Sequence, residues 1–322
     1  MAGETSEKTS ITLDVTQHRP PLDKHRVRLN LKQRNALNFY IYTLPWVLGF
    51  LIFTAGPMIF SIYLSFTDAK LGTGGNWVGF KNYITMFTTD DLFYKSLANT
   101  AIYAVFSIVL GLLFSFLLAL LLNSKLKGVG IFRTIYYLPS VISGVSTILL
   151  WGWIFNPSYG LLNYALSLFG IQGPGWLSDP KWAMSAIIIM SFYSIGGNIV
   201  IFLAGLQDIP PELYECAAID GAGIFTRTFR ITLPMVSPIL FFNLIMGIIG
   251  GLQVFNQPYI LTQGGPNYST YTFVMHLFSN AFQYFQVGYG AALAWILFLI
   301  TLVLSMIVFR TSRYWVFYRG GE

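Results

Sequence analysis

Six apolar runs divide the chain, at about 40–66, 96–122, 136–155, 182–206, 236–258 and 287–309, and none of them holds Asp, Glu, Lys or Arg. A helix needs roughly 20 residues to cross the hydrocarbon core of a bilayer. Backbone N–H and C=O groups in lipid must be paired within the segment, so isolated runs of this length predict helices rather than strands. The pattern predicts an all-α integral membrane protein with six transmembrane helices. Polar segments flank them: a tail over 1–37, a long loop over 207–234, and a short tail over 311–322 after a membrane domain at 38–310. The first run is longer than the ~7–15 apolar residues of a cleavable signal. It is therefore expected to be a retained span.

An even number of spans places both ends on one side, and the basic residues choose the side. Lys8, Arg19, Lys24, Arg26, Arg28, Lys32 and Arg34 precede the first run. Lys125, Lys127 and Arg133 follow the second, Arg227 and Arg230 follow the fourth, and Arg310, Arg313 and Arg319 follow the last. Only Lys70, Lys81, Lys95 and Lys181 fall on the opposite side. Cytoplasmic loops carry the excess of Lys and Arg, so both termini and the 207–234 loop are expected in the cytoplasm. The segment His18–Arg34 reads as a topology signal that also contacts anionic lipid.

Composition narrows the class. The 322 residues are 55% hydrophobic and 10% charged, whereas soluble domains carry roughly 25% charged residues. The net charge of +6 sits in short segments between spans, which argues against nucleic acid as a partner. One cysteine, Cys216, permits no internal disulfide, and His18, His25 and His276 are too scattered to suggest a metal site. Proton-coupled transporters place ionisable groups within the membrane. Their absence here disfavours carboxylate-based coupling and suggests that energy enters from outside the bilayer.

The 207–234 loop has local logic for such an entry point. Pro211 suits a first helical turn, and Glu212 and Glu215 lie near a helix N-terminus that favours acids. Ala217 and Ala218 leave a small-residue face, and Gly221 breaks the run. Ala222–Phe229 predicts a second short helix, and Leu233–Pro234 stops it before span five. Without a partner, the same segment would be an amphipathic hairpin lying on the membrane surface.

This loop resembles the EAA signature of ABC-importer permeases in its carbohydrate form, E-A-A-x-x-D-G-A. Glu215, Ala217, Asp220, Gly221 and Ala222 match, as do the downstream Phe229, Ile231, Leu233 and Pro234. Cys216 replaces the first alanine with another small apolar residue. Arg133–Pro139, Trp151–Asn163, Leu261–Pro266 and Gly288–Ala292 resemble the same family, so the likeness runs from Tyr40 to Arg319.

The resemblance implies a type I ABC importer permease fold in a prokaryotic plasma membrane. It implies a second homologous permease subunit in a heterodimer, two ATPase subunits, and an external solute-binding protein that delivers a sugar or oligosaccharide. Glu212, Glu215, Cys216, Ala217, Asp220, Gly221, Ala222 and Phe229 would form the ATPase-coupling surface. The permease would do no chemistry and bind no cofactor, with ATP and Mg on the partner ATPases. The chain lacks the G-x-x-x-x-G-K-[ST] phosphate loop, in keeping with a separate ATPase.

The resemblance also places a solute site near mid-membrane, among spans three to five. Polar and small candidates there are Ser194, Gly197, Asn198, Asn243, Gly247, Gly250, Gly251, Gln253 and Asn256. Amides offer donors and acceptors to sugar hydroxyls. Gln253 and Asn256, three apart, would share a helix face. Trp151, Tyr193 and Phe255 could stack on a sugar ring. The competing role for Gly247 and Gly251 is close helix packing through a G-x-x-x-G pair. A stand-alone secondary transporter of a neutral solute is the alternative function; it would work without an ATPase.

Overall fold

The computed structural model describes residues 30–124 and 128–317. The basic positions before residue 30, Lys125, Lys127 and Arg319 lie outside the described residues. The chain divides into two compact units, Met1–Pro57 and Met58–Glu322. Among the described residues all extended structure is limited to two isolated bridges, Thr67–Trp77 and Lys70–Gly74.

The first unit holds α1 (Leu31–Phe50), followed by a π-helical turn at Leu51–Ala55. The Gln33 side chain accepts the Asn30 N–H at 3.0 Å and satisfies one of the free donors at the helix start. Trp46 and Phe50, one turn apart, stack at 5.8 Å. No residue of α1 is buried.

After α2 (Gly56–Ser65) and α3 (Lys81–Thr88), the second unit is organised around α4 (Asp91–Leu122). At 1.5 Å per residue α4 is about 48 Å long, enough to cross a bilayer and extend beyond it. Asp90 caps its start by accepting the Phe93 N–H at 3.1 Å. At its far end Arg133 Nη2 donates to the Leu122 carbonyl at 2.9 Å, a cation on the negative end of the helix dipole.

Two expected spans are bent. α5 (Val129–Val141) and α6 (Gly144–Ile154) meet at 104°, and the pair Ala183–Ser194 and Gly196–Gln207 meets at 47°. The first break falls at Ile142–Ser143, where Ile142 is extended and Pro139 and Gly144 flank the gap. The second contains α8 (Ala183–Ser191), a 3-10 turn at Phe192–Ser194 and α9 (Gly196–Gln207). Between the pairs lies α7 (Leu161–Ser167). Asn163 holds its hairpin, accepting from Trp176 Nε1 at 2.7 Å and donating to the Pro157 carbonyl at 3.1 Å.

The remaining helices are α10 (Pro211–Ile219), α11 (Ile224–Arg227), α12 (Leu233–Met235), α13 (Ser237–Leu252), α14 (Asn256–Leu261), α15 (Phe273–Phe278) and α16 (Val287–Trp315). Four segments are long and apolar enough to cross a membrane: Leu31–Ser65, Asp91–Leu122, Ser237–Leu261 and Val287–Trp315. Counting each bent pair as one span gives up to six.

Apolar side chains gain little by exchanging lipid for protein, so helices in a bilayer associate through close packing and hydrogen bonds. The α4–α13 seam follows this rule. A Cβ on Gly251 would lie 3.2 Å from Ala104 Cβ, and one on Gly247 would lie 3.3 Å from Ile108 Cγ2. Here the packing role of the G-x-x-x-G pair is met. Likewise the Tyr136 carbonyl approaches Gly196 so closely that a Cβ there would be 2.1 Å from the oxygen. One core, with Met86, Phe93, Phe273 and Leu293, lies near the start of α4. Another, with Ala119, Leu122, Phe202, Leu206 and Val236, lies near its end. Beside the second core, the Phe317 N–H donates to Ser237 Oγ at 2.8 Å, joining the chain just beyond α16 to the first residue of α13.

At the start of α4, residues remote in sequence form a buried polar knot. His276 Nε2 lies 2.7 Å from Asp90 Oδ2, the Tyr289 hydroxyl donates to the same oxygen, and Asn280 Nδ2 donates to the His276 carbonyl at 2.9 Å. Burial alone would raise the pKa of Asp90. Hydrogen bonds from Tyr289 and His276, the charge of His276 and the Phe93 N–H outweigh it and hold the carboxyl below its ordinary value. A lowered folded-state value means that Asp90 contributes its stability fully above about pH 4 and loses it as the medium becomes more acidic. Asp90→Ala removes both the cap and the knot. It is expected to cost about 2–3 kcal/mol and to lower the thermal midpoint in size-exclusion assays of detergent-solubilised protein. Unchanged stability would mean that the knot is not structural.

Candidate solute pathway and coupling loop

α10 begins with Pro211 in its first turn, where a missing N–H is harmless, and with Glu212 beside the positive end of the helix dipole. It ends in a Schellman motif. Gly221 adopts φ +74°, its N–H bonds the Ala218 carbonyl at 3.1 Å, and the Ala222 N–H reaches the Ala217 carbonyl at 2.9 Å. A left-handed residue is required there, which is the physical reason for glycine. The second arm is shorter than the sequence suggests: α11 gives way to a π-helical turn at Thr228–Thr232. Arg227 Nε returns to the Ala222 carbonyl at 2.7 Å, and Tyr214 Oη meets Thr232 Oγ1 at 2.9 Å, which closes the two arms on each other.

Tyr214 and Ile209 pack into the core at the end of α4, so the loop's base is anchored while its tip is free. Glu212, Glu215, Cys216, Asp220, Gly221 and Phe229 are exposed, and Ala217 and Ala222 are half-buried. The turn also displays Ile219, Ile224 and Phe225, at 86%, 80% and 81% exposure. Sequence reasoning did not name these three. Their signal was three large apolar residues flanking a turn that has no core to bury them. An exposed apolar patch rimmed by acids marks a contact surface for a protein or a membrane.

Between α4, α9 and α13 lies a cavity of about 310 Å³. It brings together Ser194, Asn198, Asn243, Gly250 and the edges of Gly247 and Gly251, with Tyr103, Ser107 and Ser191 as further polar members. A second cavity of about 460 Å³ opens at the bend between α5 and α6 and shares Ser194 with the first. Asn256 lines it, together with Ser140, Ser143, Thr147 and Gln257. Ser140, Ser143 and Thr147 went unnamed because a hydropathy run reads as a straight span; the bend turns them toward one space, where Gln257 of α14 meets them. No Asp, Glu, Lys or Arg lines either cavity. Asn243 Nδ2 donates to its own helix at Ile239, and Asn198 makes no side-chain hydrogen bond among the described residues, leaving its amide available.

The other expected pathway residues lie elsewhere. α13 ends at Leu252 and α14 begins at Asn256, so Gln253 and Asn256 do not share the face of one helix; Gln253 is exposed at the break. Gly197 has open space at its Cβ position but lines neither polar cavity. Trp151 packs on Phe155 at 5.1 Å and edge-on to Tyr193 at 6.0 Å. Tyr193 faces a separate apolar cavity of about 420 Å³ with Phe114 and Phe192. Phe255 stacks on Tyr259 at 4.8 Å. These aromatics have protein neighbours. Among the described residues no group of three or more His, Cys, Asp or Glu is placed to hold a metal.

A helical membrane bundle with a neutral polar cavity inside and an exposed helix–turn–helix at one end has the architecture of a transport subunit. The chain belongs to the family described as binding-protein-dependent transport system inner membrane component, whose pattern matches residues 111–315 and so contains the α9 and α13 walls of the first cavity, the lining of the second and the whole loop. It is 40% identical over 294 residues to the probable ABC transporter permease protein YesP of Bacillus subtilis (strain 168), covering 90% of this chain and 95% of that one. The arabinooligosaccharides transport system permease protein AraP of the same organism is 34% identical over 277 residues, covering 85% and 88%. Among solved structures, a chain of a bacterial alginate ABC transporter, in complex with alginate pentasaccharide-bound periplasmic protein, superposes with a TM-score of 0.77. The identity is 26%, with 87% of this chain and 95% of that chain covered.

Proposed function

We propose that this chain is the membrane-spanning subunit of an ATP-driven importer and forms half of the pathway for a neutral sugar or oligosaccharide. The observation that carries the assignment is the pairing of an anchored, exposed coupling loop with a charge-free cavity of hydroxyls and amides. A bare loop tip of apolar and acidic residues suits a separate ATPase, which would hold the ATP and Mg. The cavities supply Ser and Thr hydroxyls and Asn and Gln amides, which suit hydroxylated solutes. The relatives named for arabinooligosaccharides and the neighbour solved in complex with an alginate pentasaccharide-bound periplasmic protein support a saccharide cargo. The absence of cationic side chains in the cavities favours a neutral one.

In this proposal the six spans place both termini and the coupling loop in the cytoplasm of a prokaryotic plasma membrane. A second permease completes the pathway, two ATPase subunits dock on the paired loops, and an external binding protein delivers the solute. The chain itself catalyses nothing and contacts no nucleic acid.

Affinity purification from the native membrane in mild detergent tests this. The expected result is co-purification of a second permease and an ATPase, with the ATPase lost on mutation of residues 212–221. Recovery of the chain alone, moving solute in liposomes without ATP, would instead establish a stand-alone secondary transporter.

A further inference from the structure

A groove of about 670 Å³ runs along α4 and α8, and no transport role has been given to it. Its α4 wall is Lys95, Asn99, Ile102, Phe106 and Leu110, spaced to lie on one face of the helix. The facing wall, α8 with the residues that flank it, repeats the order: Lys181 just before the helix, then Ser185 and Ile188 on it and Phe192 just after it. Both walls are cationic or polar at the start of α4 and apolar beyond it. The groove therefore has a charged end and a hydrocarbon end.

We propose that this groove binds a phospholipid with an anionic headgroup, its phosphate between Lys95 and Lys181 and one acyl chain along Ile102–Leu110. The dimensions match. From Lys95 to Leu110 a helix rises about 22 Å, and one leaflet with its headgroup region is about 20–22 Å deep. The charges match too. Lys95 and Lys181 are two of only four lysines assigned to that side of the bundle. Among the described residues neither forms an ion pair. Lys95 Nζ gives one bond to the Asn267 carbonyl at 2.7 Å, and an ammonium has two further donors to offer. Asp179, the nearest acid in sequence to Lys181, accepts the Lys181 backbone N–H at 2.9 Å and forms no ion pair with the Lys181 side chain among the described residues. Asp91 stands one turn before Lys95 without pairing with it. Ser269 Oγ lies at the same polar end, buried and without a hydrogen-bond partner among the described residues.

A lysine that merely reached for the interface would need no second lysine across an apolar channel. The proposed membrane orientation makes this the outer leaflet; the groove itself does not depend on it. A lipid held there also ties α8 to the loop at Asn267, beside the cavities described above.

The test uses the full-length protein in mild detergent, loaded with phosphatidylglycerol that carries a photoreactive group midway along one acyl chain. Label is expected on residues 102–110 and 185–192. In native mass spectrometry the retained lipid should favour phosphatidylglycerol over phosphatidylcholine by roughly thirtyfold, the preference two surface lysines provide. Lys95→Gln with Lys181→Gln should bring that ratio towards parity, and the corresponding double Arg variant should keep it. Label confined to other residues, or an unchanged ratio in the double Gln variant, overturns the proposal. So does a Phe106→Cys variant that cross-links efficiently to a second permease, because a helix would then fill the groove. The wild-type label map decides the matter even if the variants misfold.

Discussion

Gly221→Pro is expected to abolish the proposed ATP-driven uptake while leaving the chain inserted and folded. Proline fixes φ near −65°, whereas Gly221 sits at +74°. It also lacks the N–H that bonds the Ala218 carbonyl at 3.1 Å, and it forces Asp220 away from helical geometry. Losing the turn and its two hydrogen bonds costs the docking conformation about 2–3 kcal/mol, roughly 30–150-fold in its population. Gly221→Ala isolates the backbone component. No atom lies within 4 Å of the new Cβ, so only the left-handed strain of about 1–2 kcal/mol remains. Uptake in proteoliposomes containing the assembled complex should fall in the order Gly, Ala, Pro, with solubilisation yield unchanged. Normal uptake by the proline variant would remove the loop from the coupling mechanism.

Gly250→Phe is expected to block transport by filling the proposed pathway, and the adjacent Gly251→Leu is expected to fail for a different reason. Gly250 lines the 310 Å³ cavity and has no atom within 4 Å of its Cβ position, so a phenyl ring grows into empty space. Gly251 faces Ala104 at 3.2 Å, so a larger side chain must part α13 from α4. Overpacking of that kind costs typically 1–3 kcal/mol. The expected pair of results is a well-folded, inactive Gly250→Phe protein and a poorly folded Gly251→Leu protein. Size-exclusion profiles and uptake measured together separate the two. Full uptake by Gly250→Phe would show that solute passes elsewhere.

How much of this was legible in the sequence depends on the range of the interaction. Long apolar runs were readable because lipid leaves the backbone only one local solution, and four of the runs coincide with long helices. The breaks were harder. Pro139, Ser143 and Gly144 stood in plain sight, but a hydropathy window averages over them, and the 104° bend depends on packing of the kind seen where Tyr136 meets Gly196. That bend decides which hydroxyls face the second cavity, so Ser140, Ser143 and Thr147 went unnamed. The helix and turn at 211–222 were legible at residue level because their signals are local: Pro211, the acids and Gly221. The partnership of His276 with Asp90 was not, since 186 residues separate them and neither position has a periodic pattern. Gln253 and Asn256 misled because helical spacing was counted across a point where the helix stops.

The hydrogen bond from the Phe317 N–H to Ser237 Oγ makes Phe317 a passive strain gauge for α13. Ser237 starts the span immediately after the coupling loop, so a pull from the loop on α13 is transmitted to Phe317 as well. In the proposed importer, a fluorophore at that residue would ride with each stroke of the partner ATPases without entering the solute's route.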